Sequence, residues 1–197
     1  MITNRAELKY YLSMDQKSYG RRSKMPRFFK DETWKFQLAL RFHEYHANQH
    51  GLYHKICAFI WGSIHHHYGV KMGWSIPINT FGPGLKINHY GLIIVNDLAR
   101  IGSFCDIHQG VNIGQQGLEI TDVPTIGNNV WIGPGAKIFG KIEIADGCAI
   151  GANAVVNKSF NEKFITIAGV PAKKIGQGGN PWPLGIIFQE QNKKSNI

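Results

Sequence analysis

The chain has 197 residues, enough for one sizeable domain with an appendage, and its 43% apolar content is that of an ordinary globular protein. Three widely spaced cysteines without a CxxC pair argue against a disulfide framework and for a reducing compartment. The net charge of +9 is concentrated at the start: residues 1–74 carry 12 Lys/Arg against 5 Asp/Glu, with a cluster at Arg21, Arg22, Lys24, Arg27 and Lys30. No nucleic-acid motif accompanies that charge, so nucleic acid is not an expected partner, whereas an anionic membrane face suits it.

The first 30 residues are polar and charged, unlike a cleavable signal peptide, and the longest apolar run, Ile56 to Ile64, is too short to span a bilayer. Both point to a cytoplasmic protein. Residues 4–18, 31–50 and 52–68 read as helices: Trp34, Leu38, Phe42 and Tyr45 fall at helical spacing, Asp31 is placed to cap the second helix, and Gly51 and Gly69 bracket the third. The histidines of this part (His43, His46, His50, His54, then His65 to His67) have no carboxylate or cysteine at ligand spacing, so no metal is expected.

From residue 95 onward the pattern changes. Aliphatic residues recur every six positions: Val95, Ile101, Ile107, Ile113, then Ile126, Ile132, Ile138, Ile144, Ile150 and Val156. Period six rotates an apolar stripe around a helix and does not match the period of two of a simple amphipathic strand. It fits a coil of triangular cross-section, in which each six-residue unit is a short strand plus a corner and three units close a turn. The aliphatic side chain then points inward, and the small residue that often follows it (Gly102, Gly114, Gly127, Gly133, Ala145, Gly151) turns the corner. The one irregular step, thirteen residues from Ile113 to Ile126, predicts a loop near 115–124. The chain thus divides into a helical segment, 1–73, a mainly β repeat domain, 74–176, and a C-terminal tail, 177–197, which includes Trp182 and Phe188 and is expected to fold back or reach a neighbour.

Three stretches of the repeat domain carry a resemblance: GLKINHYG at 84–91, TIGNNVWIGPGAK at 125–137, and IGANAVV at 150–156 followed by GVPAK at 169–173. They resemble the serine O-acetyltransferases and the related hexapeptide-repeat acetyltransferases of surface-polysaccharide clusters. The resemblance implies a left-handed parallel β-helix, an exception to the right-handed crossover rule, a homotrimer with sites between subunits, and acetyl-CoA as co-substrate. It places the catalytic histidine at His89. His108, after inward-pointing Ile107, is a second catalytic candidate, and Asn88 beside His89, with Ser75 and Asp122, is assigned to the acceptor substrate. A histidine suits the chemistry because it can take a hydroxyl proton at neutral pH and return it to a leaving thiolate. The acetyl-CoA arm is assigned to Gly114, Gln115, Pro134, Gly135, Gly151 and Ala152, with Lys173 and Lys174 for its phosphates.

Two departures bear on the acceptor. Where serine enzymes pair the histidine with an upstream aspartate, this chain has Ser75. Where they carry an Arg-His pair before the proline that opens the next coil, it has Asp122 and Val123 before Pro124. An aspartate repels an amino-acid carboxylate. The expectation is therefore O-acetylation of a sugar hydroxyl of a surface polysaccharide or its precursor, at the inner membrane face. The alternatives are serine O-acetylation for cysteine biosynthesis and a non-catalytic hexapeptide binding protein.

Overall fold

Three helices precede the repeat: α1 (Arg5–Ser18), α2 (Glu32–Ala47) and α3 (Leu52–Met72). The computed structural model describes residues 1–27 and 29–183, so Phe188 and most of the tail call for no structural account. Asn4 caps α1, accepting the Glu7 backbone N–H at 2.9 Å, while the Glu7 carboxylate accepts the Thr3 N–H at 2.6 Å. Asp31 does not cap α2. It lies in the left-handed region, and its carboxylate takes Arg21 at 2.8 Å and the Arg27 backbone N–H at 3.0 Å, contacts that hold it well below the usual carboxylate range. Gly69 does not end the third helix, which runs on to Met72. It is needed there because a Cβ would come 2.7 Å from the Trp74 carbonyl oxygen.

The strands are two to six residues long: β1 (Trp74–Ser75), β2 (Lys86–Ile87), β3 (Ile93–Val95), β4 (Arg100–Ile101), β5 (Asp106–Ile107), β6 (Asn112–Gly114), β7 (Thr125–Ile126), β8 (Trp131–Ile132), β9 (Lys137–Phe139), β10 (Glu143–Ile144), β11 (Ala149–Ile150), β12 (Val155–Val156), β13 (Ile165–Gly169) and β14 (Ala172–Gln177). They form three parallel faces: β1-β3-β6-β9-β12, β4-β7-β10, and β2-β5-β8-β11-β13, the last closed by antiparallel β14. From β2 to β12 the chain visits the faces in rotation, so every third strand stacks on its predecessor, Ile107 on Ile132 and Ile132 on Ile150. This is the left-handed β-helix implied by the resemblance.

All ten inward aliphatic residues are buried. Removing each from water contributes roughly 1.5–3 kcal/mol, so the stack holds itself together without long strands. The corners work differently from the sequence expectation. A left-handed turn falls three residues after six of the ten aliphatic residues, at Phe104, Gly110, Asn129, Gly135, Gly147 and Asn153. The small residue directly after the aliphatic one serves close stacking instead: a Cβ on Gly102 would lie 2.7 Å from the Gly127 carbonyl carbon of the next coil.

The helices are clamped to the first coil by a buried charge cluster. Arg41 bonds Asp15 at 2.8 Å and Glu44 at 2.9 Å, and donates to the carbonyls of Phe81 at 3.0 Å and Gly82 at 2.7 Å. Asp15 also accepts the backbone N–H groups of Gly84 and Leu85. Burial works against the Arg41 charge, but the two carboxylates outweigh it and hold the guanidinium protonated, while burial pushes the Glu44 carboxyl up. Phe36 packs edge-on to Trp74 at 5.0 Å, joining α2 to β1.

Candidate active site

The corner that leads from the third face back to the first carries both candidate histidines. His89 follows β2 and His108 follows β5, one coil further on, so the two rings stack along one edge with centroids 6.1 Å apart. His89 is exposed and His108 half-buried. Trp131 of the next coil packs on His108, with ring centroids at 5.0 Å. His108 Nδ1 lies 3.0 Å from the carbonyl oxygen of Ile132. A carbonyl only accepts, so Nδ1 carries the proton and Nε2 keeps its lone pair. This ring therefore has the tautomer a base requires.

Below the two rings lies Asp106, which the sequence reading missed. Its carboxylate is buried, accepts the Lys86 ammonium at 3.2 Å and the side-chain N–H of Asn88, and stands 3.8 Å from His108 Nδ1. The available signal was its place: Asp106 is the outward residue of β5, one before inward Ile107, on the face that ends in the histidine corner.

The same edge continues through Pro134 and Gly135 and then Gly151 and Ala152, at the corners of the next two coils. Gly135 donates its N–H to the Gln109 carbonyl at 2.9 Å, and the Pro134 carbonyl accepts from Asn153 at 2.9 Å. The fold thus brings Asn88, His89, His108, Pro134, Gly135, Gly151 and Ala152 into one column. It leaves the other candidates elsewhere. Gly114 ends β6, and Gln115 and Asp122 belong to the loop between β6 and β7, at a different corner. Ser75 lines a cleft of about 520 Å³ between α3 and the first face, with His43, His65 and Leu92 among its walls. Lys173 is exposed on β14, and Lys174 beside it is held by both carboxylate oxygens of Glu162 at 2.7 Å.

The histidines of the helices form two pairs that join α2 to α3: His43 with His65 at 3.2 Å and His46 with His54 at 2.9 Å between Nδ1 atoms. Burial lowers His43, His46 and His65, the last to about 4. Among the described residues, no group of three or more His, Cys, Asp or Glu side chains is placed to hold a metal ion, and no helix is long and apolar enough to cross a membrane.

Comparison with known proteins bears on the family and on the acceptor. The bacterial transferase hexapeptide repeat (six repeats) matches residues 124–158. A serine acetyltransferase of Synechococcus elongatus is 32% identical over 136 residues, covering 68% of this chain and 55% of that protein. One of Haemophilus influenzae is 39% identical over 102 residues, covering 51% and 38%. The crystal structure of serine acetyltransferase in complex with coenzyme A from Brucella abortus superposes with a TM-score of 0.69 at 30% identity, covering 89% of this chain and 70% of that one. The chain spans about half the length of the curated relatives it matches.

These findings correct the expected acceptor. The relatives are serine acetyltransferases, which overturns the surface-polysaccharide reading. The structure supplies the physical reason. The Asp122 carboxylate accepts the backbone N–H of Glu119 at 3.3 Å, and Gln116 donates its N–H to the Asp122 carbonyl at 3.1 Å. These bonds tie Asp122 into its own loop, at a corner away from His89 and His108, so within this chain its charge does not face the histidine edge. Without a glycan precursor the argument for a membrane face also lapses, and Arg21 and Arg27 of the basic cluster are paired with Asp31. The repeat, the three-faced coil and the match to the coenzyme A complex converge: the chain belongs to the hexapeptide-repeat bacterial transferases, and within them it is similar to serine acetyltransferases.

Proposed function

We propose that this chain moves the acetyl group of acetyl-CoA to the hydroxyl of L-serine, a step of cysteine biosynthesis. The observation that carries the reading is the set of serine acetyltransferases at 32–39% identity, together with the 30% identical coenzyme A complex. In this reading the acetyl-CoA arm lies along the edge formed by Pro134, Gly135, Gly151 and Ala152, where small residues let it reach the backbone. Gly114 and Gln115 approach it from the loop of a neighbouring subunit in a trimer. Lys173 meets the phosphates, and Lys174 joins it only by giving up Glu162.

The chemistry follows from the two rings. A histidine on the edge, His89 with His108 beside it, takes the hydroxyl proton as the serine oxygen bonds the acetyl carbon. The carbon–sulfur bond then breaks, and the same proton passes to the departing thiolate. No covalent enzyme intermediate is needed. Asn88 faces the acceptor next to His89.

The test is CoA release from acetyl-CoA, followed with a thiol reagent, with L-serine as acceptor. Wild type is expected to turn over, and His89→Ala to lose about 10²–10⁴-fold, the usual contribution of a positioned acid–base group. Absence of CoA release with L-serine would overturn the proposal.

A further inference from the structure

We propose that Asp106 is the carboxylate of this active site, a positioning residue that acts through His108 and Asn88. The inference rests on the histidine edge being the site. Ser75 is on another cleft, so no carboxylate reaches the rings from β1. Asp106 reaches them from β5, and its side chain is only 6% exposed. A carboxylate buried to that degree is costly unless it is paired. The side chains that meet it belong to the same corner: Lys86 and Asn88 lead into His89, and His108 is two residues on.

Each contact has a consequence. Asn88 gives its amide N–H to Asp106, so it presents its carbonyl oxygen, an acceptor suited to an ammonium or a hydroxyl. His108 keeps its Nδ1 proton on the Ile132 carbonyl, leaving Nε2 to receive a proton. The ring would then be positive, with the Asp106 carboxylate 3.8 Å from Nδ1. Lys86 offsets part of the Asp106 charge.

The other groups facing this carboxylate come from four elements. The Tyr19 phenol, at the end of α1, is held by the backbone of Ile87 and is pushed up first by burial and further by Asp15 and Asp106. The buried Cys105 thiol, on the same stretch as β5, is pushed up by burial and by Asp106. His89 stacks beside His108 from the corner after β2. Trp131, from β8, is uncharged.

The decisive experiment compares the parent with Asp106→Asn, which removes the charge but can still accept from Asn88, and with Lys86→Gln, which leaves the carboxylate unneutralised. The His108 ring signals and the Asn88 side-chain amide signals are followed by NMR at one fixed pH. Both sets are expected to move in Asp106→Asn, and the His108 signals in Lys86→Gln as well. In turnover, Asp106→Asn is expected to lose about 10–100-fold in kcat with the KM for acetyl-CoA unchanged. A merely structural aspartate would lower the melting temperature and leave the kcat of the folded variant in place. Unmoved ring signals in the two variants, or an unchanged kcat in folded Asp106→Asn, overturn the proposal. Should Asp106→Asn fail to fold, the half-exposed Lys86→Gln still decides it. The NMR arm requires no acceptor, so absence of serine turnover would overturn the proposed function and leave this inference to be settled by the ring signals.

Discussion

Replacing Arg41 by methionine leaves two buried carboxylates, Asp15 and Glu44, with no cation between them. Removing one partner of a buried ion pair costs about 3–5 kcal/mol. Arg41 also supplies the donors to the carbonyls of Phe81 and Gly82, and a buried acceptor without a partner costs about 1–3 kcal/mol more. These losses overlap, so a total on the order of 4–6 kcal/mol is expected. For a chain of this size that corresponds to a fall in melting temperature of about 8–24 °C. Thermal unfolding followed by far-UV circular dichroism, at one fixed protein concentration because assembly shifts the midpoint, measures it. Asp15→Asn is the companion. It keeps an acceptor for the Gly84 and Leu85 N–H groups and leaves Arg41 with Glu44, so it should cost distinctly less. A fall of less than about 3 °C in Arg41→Met would refute the idea that this cluster clamps the helices to the first coil.

The remaining predictions concern the helix pairs and the coil spacing. His65 is held down to about 4 by burial and by His43, whereas a free histidine titrates near 6.5. Between those values the unfolded chain binds the extra proton, so stability should fall as pH drops from about 6.5 to about 4. Urea midpoints at pH 7 and pH 5 should differ less in His65→Phe than in the parent, although His43 and His46 shift in the same direction and keep some of the slope. Gly102→Ala must push the second and third coils apart and should cost about 1–3 kcal/mol in chemical denaturation. Gly176→Ala, with nothing within 4 Å of the new carbon, should stay within about 0.5 kcal/mol of the parent.

The sequence by itself determined the coil. Ten aliphatic residues in phase at period six admit one inward direction per unit, and burying that column is the largest favourable term available to strands of two or three residues. It offered His89 through the resemblance of GLKINHYG at 84–91 and His108 through its place after inward Ile107, and it placed the loop after Ile113, since thirteen is two periods plus one residue. It misassigned the corners, since close stacking and a left-handed turn both favour small residues and the letters do not separate the two. Asp122 misled for a related reason: a carboxylate in a loop reads as charge offered to a ligand until its own backbone partner at Glu119 is seen. The surroundings of Asp106 came only from the tertiary structure. His108 is two residues on, but Lys86 and Asn88 lie one coil earlier, and only the stacking of β5 on β2 brings them to the same carboxylate. The same holds for Arg41, whose partners come from α1, α2 and the first coil at once. Period and composition fix which side of a strand is buried. Which charges meet on the other side depends on distances between coils and helices, and these are set by packing rather than by spacing along the chain.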